Sequence, residues 1–290
     1  KAVHTTIAIA IGAGIILTAA GILLAPVILR AMGTPAEVFG QAVTYLQVYF
    51  GGILFSVIYN MSAGILNAVG NSKRSLLYLM IAAISNIFLD LLFVVALKMG
   101  IVGAALATDI SQLISCIFIM LFLTRSQDVY HVKIRDIRLY DHLFSKIVKI
   151  GLPTGIQNIV ISFSNVIVQS SVNSFGAVAM AGFAAYIKID GFNILPVLSF
   201  SMAATTFAGQ NIGAGQYHRV KKGMLVSVGM GIFYTVMTGI LLLVFAPQVI
   251  GVFTNNQDVV AYGVYIMKFF CPFYWMLAIL QVASGTIRGT

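Results

Sequence analysis

Ala25-Pro26 returns later in the chain as Ala246-Pro247, and the apolar frame around it returns at the same offset. With 221 added, Val38 falls on Val259, Val43 on Val264, Ile58 on Ile279 and Gly64 on Gly285, with no gap. Identities are few, yet apolar positions stay apolar, and the polar break near Thr34 meets the one near Asn255. This is the pattern of a duplicated membrane segment. Carried through, the register also predicts an incomplete chain. The stretch 143–221 has its counterpart before Lys1, and the stretch 70–125 has its counterpart after Thr290.

Composition agrees with a lipid solvent. The chain is 60% hydrophobic and 9% charged, with a mean hydropathy of +0.99, against roughly 25% charged residues in soluble domains. Apolar runs of about 20 residues cross a hydrocarbon core about 30 Å thick. Such runs predict spans near 5–29, 37–66, 76–97, 101–124, 143–170, 177–208, 220–246 and 258–287. The runs are continuous and not alternating, which favours helices over a barrel. Cys116 and Cys271 both fall inside spans and read as apolar packing, not as a disulfide pair.

The net charge of +9 is placed, not spread. Lys73 and Arg74 occupy one break between spans, Arg125, Lys133, Arg135 and Arg138 the next long one, and Arg219, Lys221 and Lys222 another. The alternate breaks hold only Arg30 and Lys98. This is the positive-inside asymmetry, and it puts the basic breaks, with Lys1 and Arg288, on the cytoplasmic side. A nucleic-acid partner is not expected, because no soluble domain presents the charge. The partners expected are the bilayer and small amphipathic molecules, and the protein is expected to be a monomer in the cytoplasmic membrane of a bacterium.

The fold class that follows is all-α: a polytopic membrane protein of two pseudo-symmetric helical bundles. By the repeat, the parent has twelve helices and about eight are present here. The amino-terminal lobe covers 1–125, a polar cytoplasmic linker 126–142, and the carboxy-terminal lobe 143–290. Gly151-Leu152-Pro153 is expected to break or kink the fifth span.

Three carboxylates fall well within spans: Asp90, Asp109 and Asp190. Ionised groups there are expensive unless paired, hydrated or protonated, so intramembrane acids are candidates for function. Asn86 and Asp90 are four residues apart on one helical face, and Thr108 lies at nearly the same depth on the following helix. An Asp, an Asn amide and a Thr hydroxyl at one level supply oxygen ligands for Na+ or a carboxyl site for H+. The alternative is a satisfied polar contact between neighbouring helices. Asp109 points about 100° away from Thr108 and is the weaker candidate. Asp190 sits in the Tyr186–Asn193 stretch, where Lys188 or Lys268 can neutralise it. The alternative is an acid facing a watery cavity, with Tyr186, Asn193, Lys268 and Tyr274 near substrate.

Enzymatic chemistry is not indicated. His4, His131, His142 and His218 fall at helix ends or in loops without zinc spacing, and no nucleophile has a His partner within a span. Gly209-Gln210-Asn211-Ile212-Gly213-Ala214-Gly215 imitates a phosphate loop, but no strand precedes it and no Lys-Ser/Thr follows. No cofactor is expected. Energy must then come from a gradient of H+, Na+ or substrate.

The Gly209–Gly215 segment with Arg219 resembles the GQN-x-GAG…R signature of the multidrug and toxic compound extrusion (MATE) transporters. Asn86-Ile87-Phe88-Leu89-Asp90 and Gly103-Ala104-Ala105-Leu106-Ala107-Thr108 are similar to that family's N-x-x-LD and GAA-x-AT motifs. Ser284 to Gly289 resembles its RG-containing break after the tenth helix. The resemblance implies a two-lobed fold, alternating access, and export of amphipathic, often cationic compounds against H+ or Na+. It maps Asn86, Asp90 and Thr108 onto the amino-lobe cation site. It also implies acids in the seventh and tenth helices of another branch, which this chain lacks. A flippase for lipid-linked sugars is the alternative of similar architecture, and a channel or an intramembrane enzyme is the more distant one.

Overall fold

The computed structural model describes residues 1–32 and 34–290. Its described residues are helical with short connections. In hydrocarbon every backbone N–H and C=O must be satisfied within the segment, and a helix does this locally. Eight helical stretches are long and apolar enough to span a bilayer. They are α1 (Ala2–Ala31), α2 (Ala36–Ala68), α3 (Ser72–Asp90) continued by a π-helical turn (Leu91–Ala96), α4 (Gly100–Arg125), α5 (Asp141–Asn173), α6 (Ala177–Gly213), α7 (Tyr217–Val244), and a final stretch in two pieces. After α7 comes the short α8 (Ala246–Gly251). The last span is α9 (Gln257–Phe270), a 3-10 turn (Cys271–Phe273) and α10 (Tyr274–Gly289). Each predicted span falls on one of these stretches; most helices run a few residues past the apolar run, while the spans read as 76–97 and 220–246 end one and two residues beyond their helices.

Proline decides three local details. α5 continues through Pro153, so the expected break there does not occur; a long helix absorbs one missing N–H where the chain on both sides stays helical. Pro247 instead starts a new helix, because its fixed φ suits a first turn whose N–H is unbonded anyway. Pro272 converts one turn of the last span to 3-10 geometry.

The repeat is visible in the backbone. α2 shifted by 221 covers residues 257–289, the whole of α9 through α10. Ala25 and Ala246 are both fully buried. The copies differ in packing: Gly64 has open space around it, whereas Gly285 lies tight against α6.

The chain divides into two compact units, Lys1–Lys149 and Ile150–Thr290. The second unit therefore starts inside α5, seven residues past the predicted lobe boundary at 143. In the first unit α2 packs against α1 and α4, and α3 packs against α4. Tyr59, Leu66, Tyr78, Ile119 and Leu123 form its buried cluster. The polar segment after α4 belongs to this unit: Val132 is buried in the cluster, and the Lys133 N–H donates to His4 Nε2 at 3.0 Å. In the second unit α6, α7, α9 and α10 pack together around Phe183, Ile189, Ile250 and Met267.

The glycine-rich stretch 209–215 closes α6. Gly215 adopts φ 70°, and the Gln216 N–H reaches back to the Asn211 carbonyl at 2.8 Å, a helix stop that favours glycine. The amide of Asn211, itself buried, caps from within by donating to Phe207 O at 2.8 Å. The segment is a helix C-terminus, not a phosphate loop.

Candidate functional site

In the first unit the candidate residues lie on α3 and α4, and one of them, Asp109, reaches α2. Tyr78, Ala82, Asn86 and Asp90 follow one another at four-residue steps along α3, a row that drifts about 120° around the helix from Tyr78 to Asp90. Tyr78 stacks on Phe118 of α4 with ring centroids 6.2 Å apart, and Ala82 is buried. Asp90 is the last α-helical residue before the π turn. Single π turns widen the helix locally and recur at functional positions. The close approach that holds this turn to α4 is Gly103, where a Cβ would crowd Phe93 at 3.0 Å.

Counting inward from that contact, Asp90 lies three residues down one helix and Thr108 five down the other, about 4.5 and 7.5 Å at 1.5 Å per residue. Around α4, Thr108 lies about 140° from Gly103 and Asp109 about 240°. The carboxyl of Asp109 rests directly on Gly52 of α2, where any Cβ would overlap it. Thr108 therefore lies about 140° from the direction of α3 and about 100° from that of α2, outside the roughly 120° sector between them. Its hydroxyl donates to Ala104 O at 3.1 Å, which leaves the oxygen lone pairs as acceptors.

Three buried polar atoms of this unit's helices have no partner: Thr18 Oγ1 on α1, Asn86 Nδ2 on α3 and Gln112 Oε1 on α4. An unsatisfied buried polar group costs about 1–3 kcal/mol, and the two ends of an amide have nearly the same shape, so Asn86 can offer donor or acceptor there. Sequence reading missed Gln112 and Gly52. Gln112 follows Thr108 by four residues and could have been found by that spacing. Gly52 carries no signal, because its role is an absent side chain opposite Asp109.

The second unit holds a different cluster. Tyr186 and Asp190 are one turn apart on α6, and Tyr274 opens α10. The two phenol oxygens are 3.4 Å apart, and the Asp190 carboxylate lies within reach of both hydroxyls. Two hydroxyl protons serve three groups here. Either both phenols donate to the carboxylate, or Tyr274 donates to Tyr186 and Tyr186 to Asp190. Both phenols are buried, and the Cys271 thiol lies against Tyr274.

Neither lysine takes the neutralising role that the sequence allows. Lys188 is exposed with its ammonium 5.4 Å from the Phe253 ring centroid, and Lys268 is exposed on α9. Helical phase explains this: Lys188 is two residues from Asp190, about 200° around the helix. Of the aromatics at the α9–α10 junction only Tyr274 is buried, while Phe269, Phe270, Phe273 and Trp275 are exposed. Cys116 and Cys271 are free and buried, as the apolar reading expects.

Next to this cluster lies a cavity of about 460 Å³, bounded by Ile189, Phe192, Tyr234, Leu241 and Phe253 among others. Its wall carries one polar pair, Asn193 Oδ1 accepting from Thr238 Oγ1 at 2.8 Å. The structure thus brings Tyr186, Asp190 and Tyr274 together, puts Asn193 one turn away on a cavity wall, and leaves Lys268 outside. Among the described residues no group of three or more His, Cys, Asp or Glu side chains can hold a metal.

The family model MatE matches residues 1–92 and 153–290. The probable multidrug resistance protein YpnP of Bacillus subtilis is 32% identical over 271 residues, 93% of this chain and 60% of that protein. The multidrug export protein MepA of Staphylococcus aureus is 24% identical over 89% of this chain and 57% of its own length. The fold superposes on an outward-facing multidrug resistance MATE family transporter of the MOP superfamily with a TM-score of 0.91 at 24% identity, covering 99% of this chain and 64% of that one. A MOP superfamily transporter from Pyrococcus furiosus matches with a TM-score of 0.91 at 23% identity. The chain spans about 60% of the length of the curated relatives it matches.

Proposed function

Since the chain belongs to the MatE family, whose members are transporters and not enzymes, we propose that the protein exports small amphipathic, predominantly cationic compounds by alternating access, driven by H+ or Na+. The observation that carries this reading is the polar set on the first unit's apolar helices. Two carboxylic acids, a threonine oxygen and two amide ends without partners lie within about 4.5 to 13.5 Å of the Gly103–Phe93 contact along α3 and α4. A structural polar contact would satisfy those atoms. A site that binds and releases an ion satisfies them only while occupied.

In this reading Asp90, Asn86 and Thr108 bind the coupling ion and Asp109 on Gly52 adjoins them. Asp190 with Tyr186 and Tyr274 attracts the substrate's positive charge, and the cavity beside Asn193 accepts its apolar part. A carboxylate held by two phenols is charge without a fixed ammonium, so a mobile cation can act as its counter-ion. Ion binding drives export only if it favours one facing state over the other.

The test is ethidium efflux from right-side-out vesicles carrying the complete protein, under imposed H+ and Na+ gradients. Asp90→Asn is expected to abolish gradient-dependent efflux while the protein stays in the membrane at the parent level. Unchanged efflux by that variant overturns the assignment, and efflux without any gradient overturns coupling.

A further inference from the structure

A second cavity, of about 510 Å³, opens where α6 ends and α7 begins. Ala203 and Phe207 of α6 face Arg219, Lys222, Gly223, Val226 and Ser227 of α7 across it. Its volume is in the range of small-molecule sites. Gly223 shapes it: a Cβ there would strike the Phe207 ring, so only glycine lets the ring lie on the α7 backbone. The guanidinium of Arg219 is steadied by Gln216, Nη1 donating to Oε1 at 2.8 Å.

Among the described residues of its own unit, the charge of this cavity has no counter-ion. No Asp or Glu occurs between Asp190 and Asp258, and those two are the unit's acids. Asp190 lies 17 residues up α6 from Phe207, about 26 Å along the axis, and Asp258 follows the far end of α7, whose length is about 42 Å. Two cations, with Lys221 beside them, therefore stand over an apolar wall of Ala203, Phe207 and Val226. The positive-inside asymmetry places this end at the cytoplasmic surface, where anionic headgroups meet hydrocarbon.

We propose that this cavity binds the phosphate headgroup of an anionic glycerophospholipid from the cytoplasmic leaflet. Arg219 and Lys222 hold the phosphate, the Ser227 hydroxyl donates a further hydrogen bond, and an acyl chain runs along Phe207 and Val226. The apolar wall selects a lipid over free phosphate, because a free anion gains nothing from that surface and loses hydration beside it. A juxtamembrane cation contributes about fivefold in binding, so two give a preference of about 25-fold for phosphatidylglycerol over phosphatidylcholine.

The experiment uses the complete protein carrying Trp275→Phe, which removes the one tryptophan of residues 1–290, with every tryptophan outside them also replaced by Phe, and Val226→Trp as a local reporter. Quenching by brominated phosphatidylglycerol and by brominated phosphatidylcholine is compared in mixed vesicles. The expected result is the 25-fold preference, its loss in Arg219→Gln/Lys222→Gln, and its retention in Lys73→Gln/Arg74→Gln. Equal quenching by the two lipids overturns the proposal. Equal loss in the Lys73/Arg74 variant also overturns it, by assigning the effect to general surface potential. Displacement by inorganic phosphate overturns it in favour of a free anion. Native mass spectrometry of the protein with Val226 intact gives the same comparison without the reporter: a phosphatidylglycerol adduct that the Arg219/Lys222 variant lacks.

Discussion

Replacing Gly285 by alanine tests how the second unit is held together. A Cβ at this position would overlap the Ser201 hydroxyl of α6, and would sit 2.6 Å from the Ser201 carbonyl oxygen and 3.0 Å from Thr205 Oγ1. Ordinary contact begins at 3.4 Å, so α10 must retreat by about 0.8 Å, the difference between 3.4 and 2.6. Two interhelical hydrogen bonds cross this seam, Ser201 Oγ to Gln281 O and Thr205 Oγ1 to Gly285 O, both at 2.7 Å. The same retreat stretches them to about 3.5 Å, where little of a hydrogen bond remains. At about 0.6–1.7 kcal/mol for each such bond within a membrane, the loss is about 1–3 kcal/mol.

The assay is reversible unfolding of the complete protein by SDS in mixed micelles, followed by circular dichroism. Gly229→Ala on α7 is the control, because its Cβ enters open space and helix propensity alone makes it neutral or stabilising by up to about 1 kcal/mol. Removing the Ser201 hydroxyl leaves the backbone carbonyl at 2.6 Å in the way, so Ser201→Ala does not rescue Gly285→Ala. Gly285→Ala within about 0.5 kcal/mol of the parent, the range of an inert surface change, refutes the argument. Rescue by Ser201→Ala refutes it as well, since the hydroxyl and not the backbone would then be the limiting contact.

Two further predictions bear on transport. Gly52→Ala drives a methyl into the Asp109 carboxyl; that side chain can rotate away, so protein levels should hold while gradient-dependent ethidium efflux falls at least tenfold. Gly51→Ala, with open space around it, should leave efflux at the parent rate, and equal effects of the two would remove Asp109 from the mechanism. Tyr274→Phe takes one donor from Asp190 and Tyr186; a hydrogen bond to a charged group is worth about 1.5–3 kcal/mol, so the KM for a cationic dye should change by about tenfold or more, and an unchanged KM would detach the cluster from substrate.

The residue pattern by itself determined the solvent, the eight spans, their repeat and the family. Lipid is a uniform solvent, and a segment that crosses it must be long, apolar and helical, which is a one-dimensional property. It also marked Asp90, Asp109 and Asp190, because charge inside such segments is rare. What it did not determine is what each acid faces. Asp109 was ranked low by its angle to Thr108, yet its partner is a glycine on α2, and a missing side chain leaves no trace in a pattern. Lys188 is two residues from Asp190, but helical phase turns it away; Lys268 is exposed on α9, and the groups beside Asp190 are two tyrosines, Tyr186 on the same helix and Tyr274, which lies 88 residues beyond Tyr186. The repeat aligned Gly64 with Gly285, but only one of them has a helix pressed against it. Periodicity states which side of a helix is buried; the neighbour that buries it, and so the chemistry of the contact, is fixed only when the helices pack.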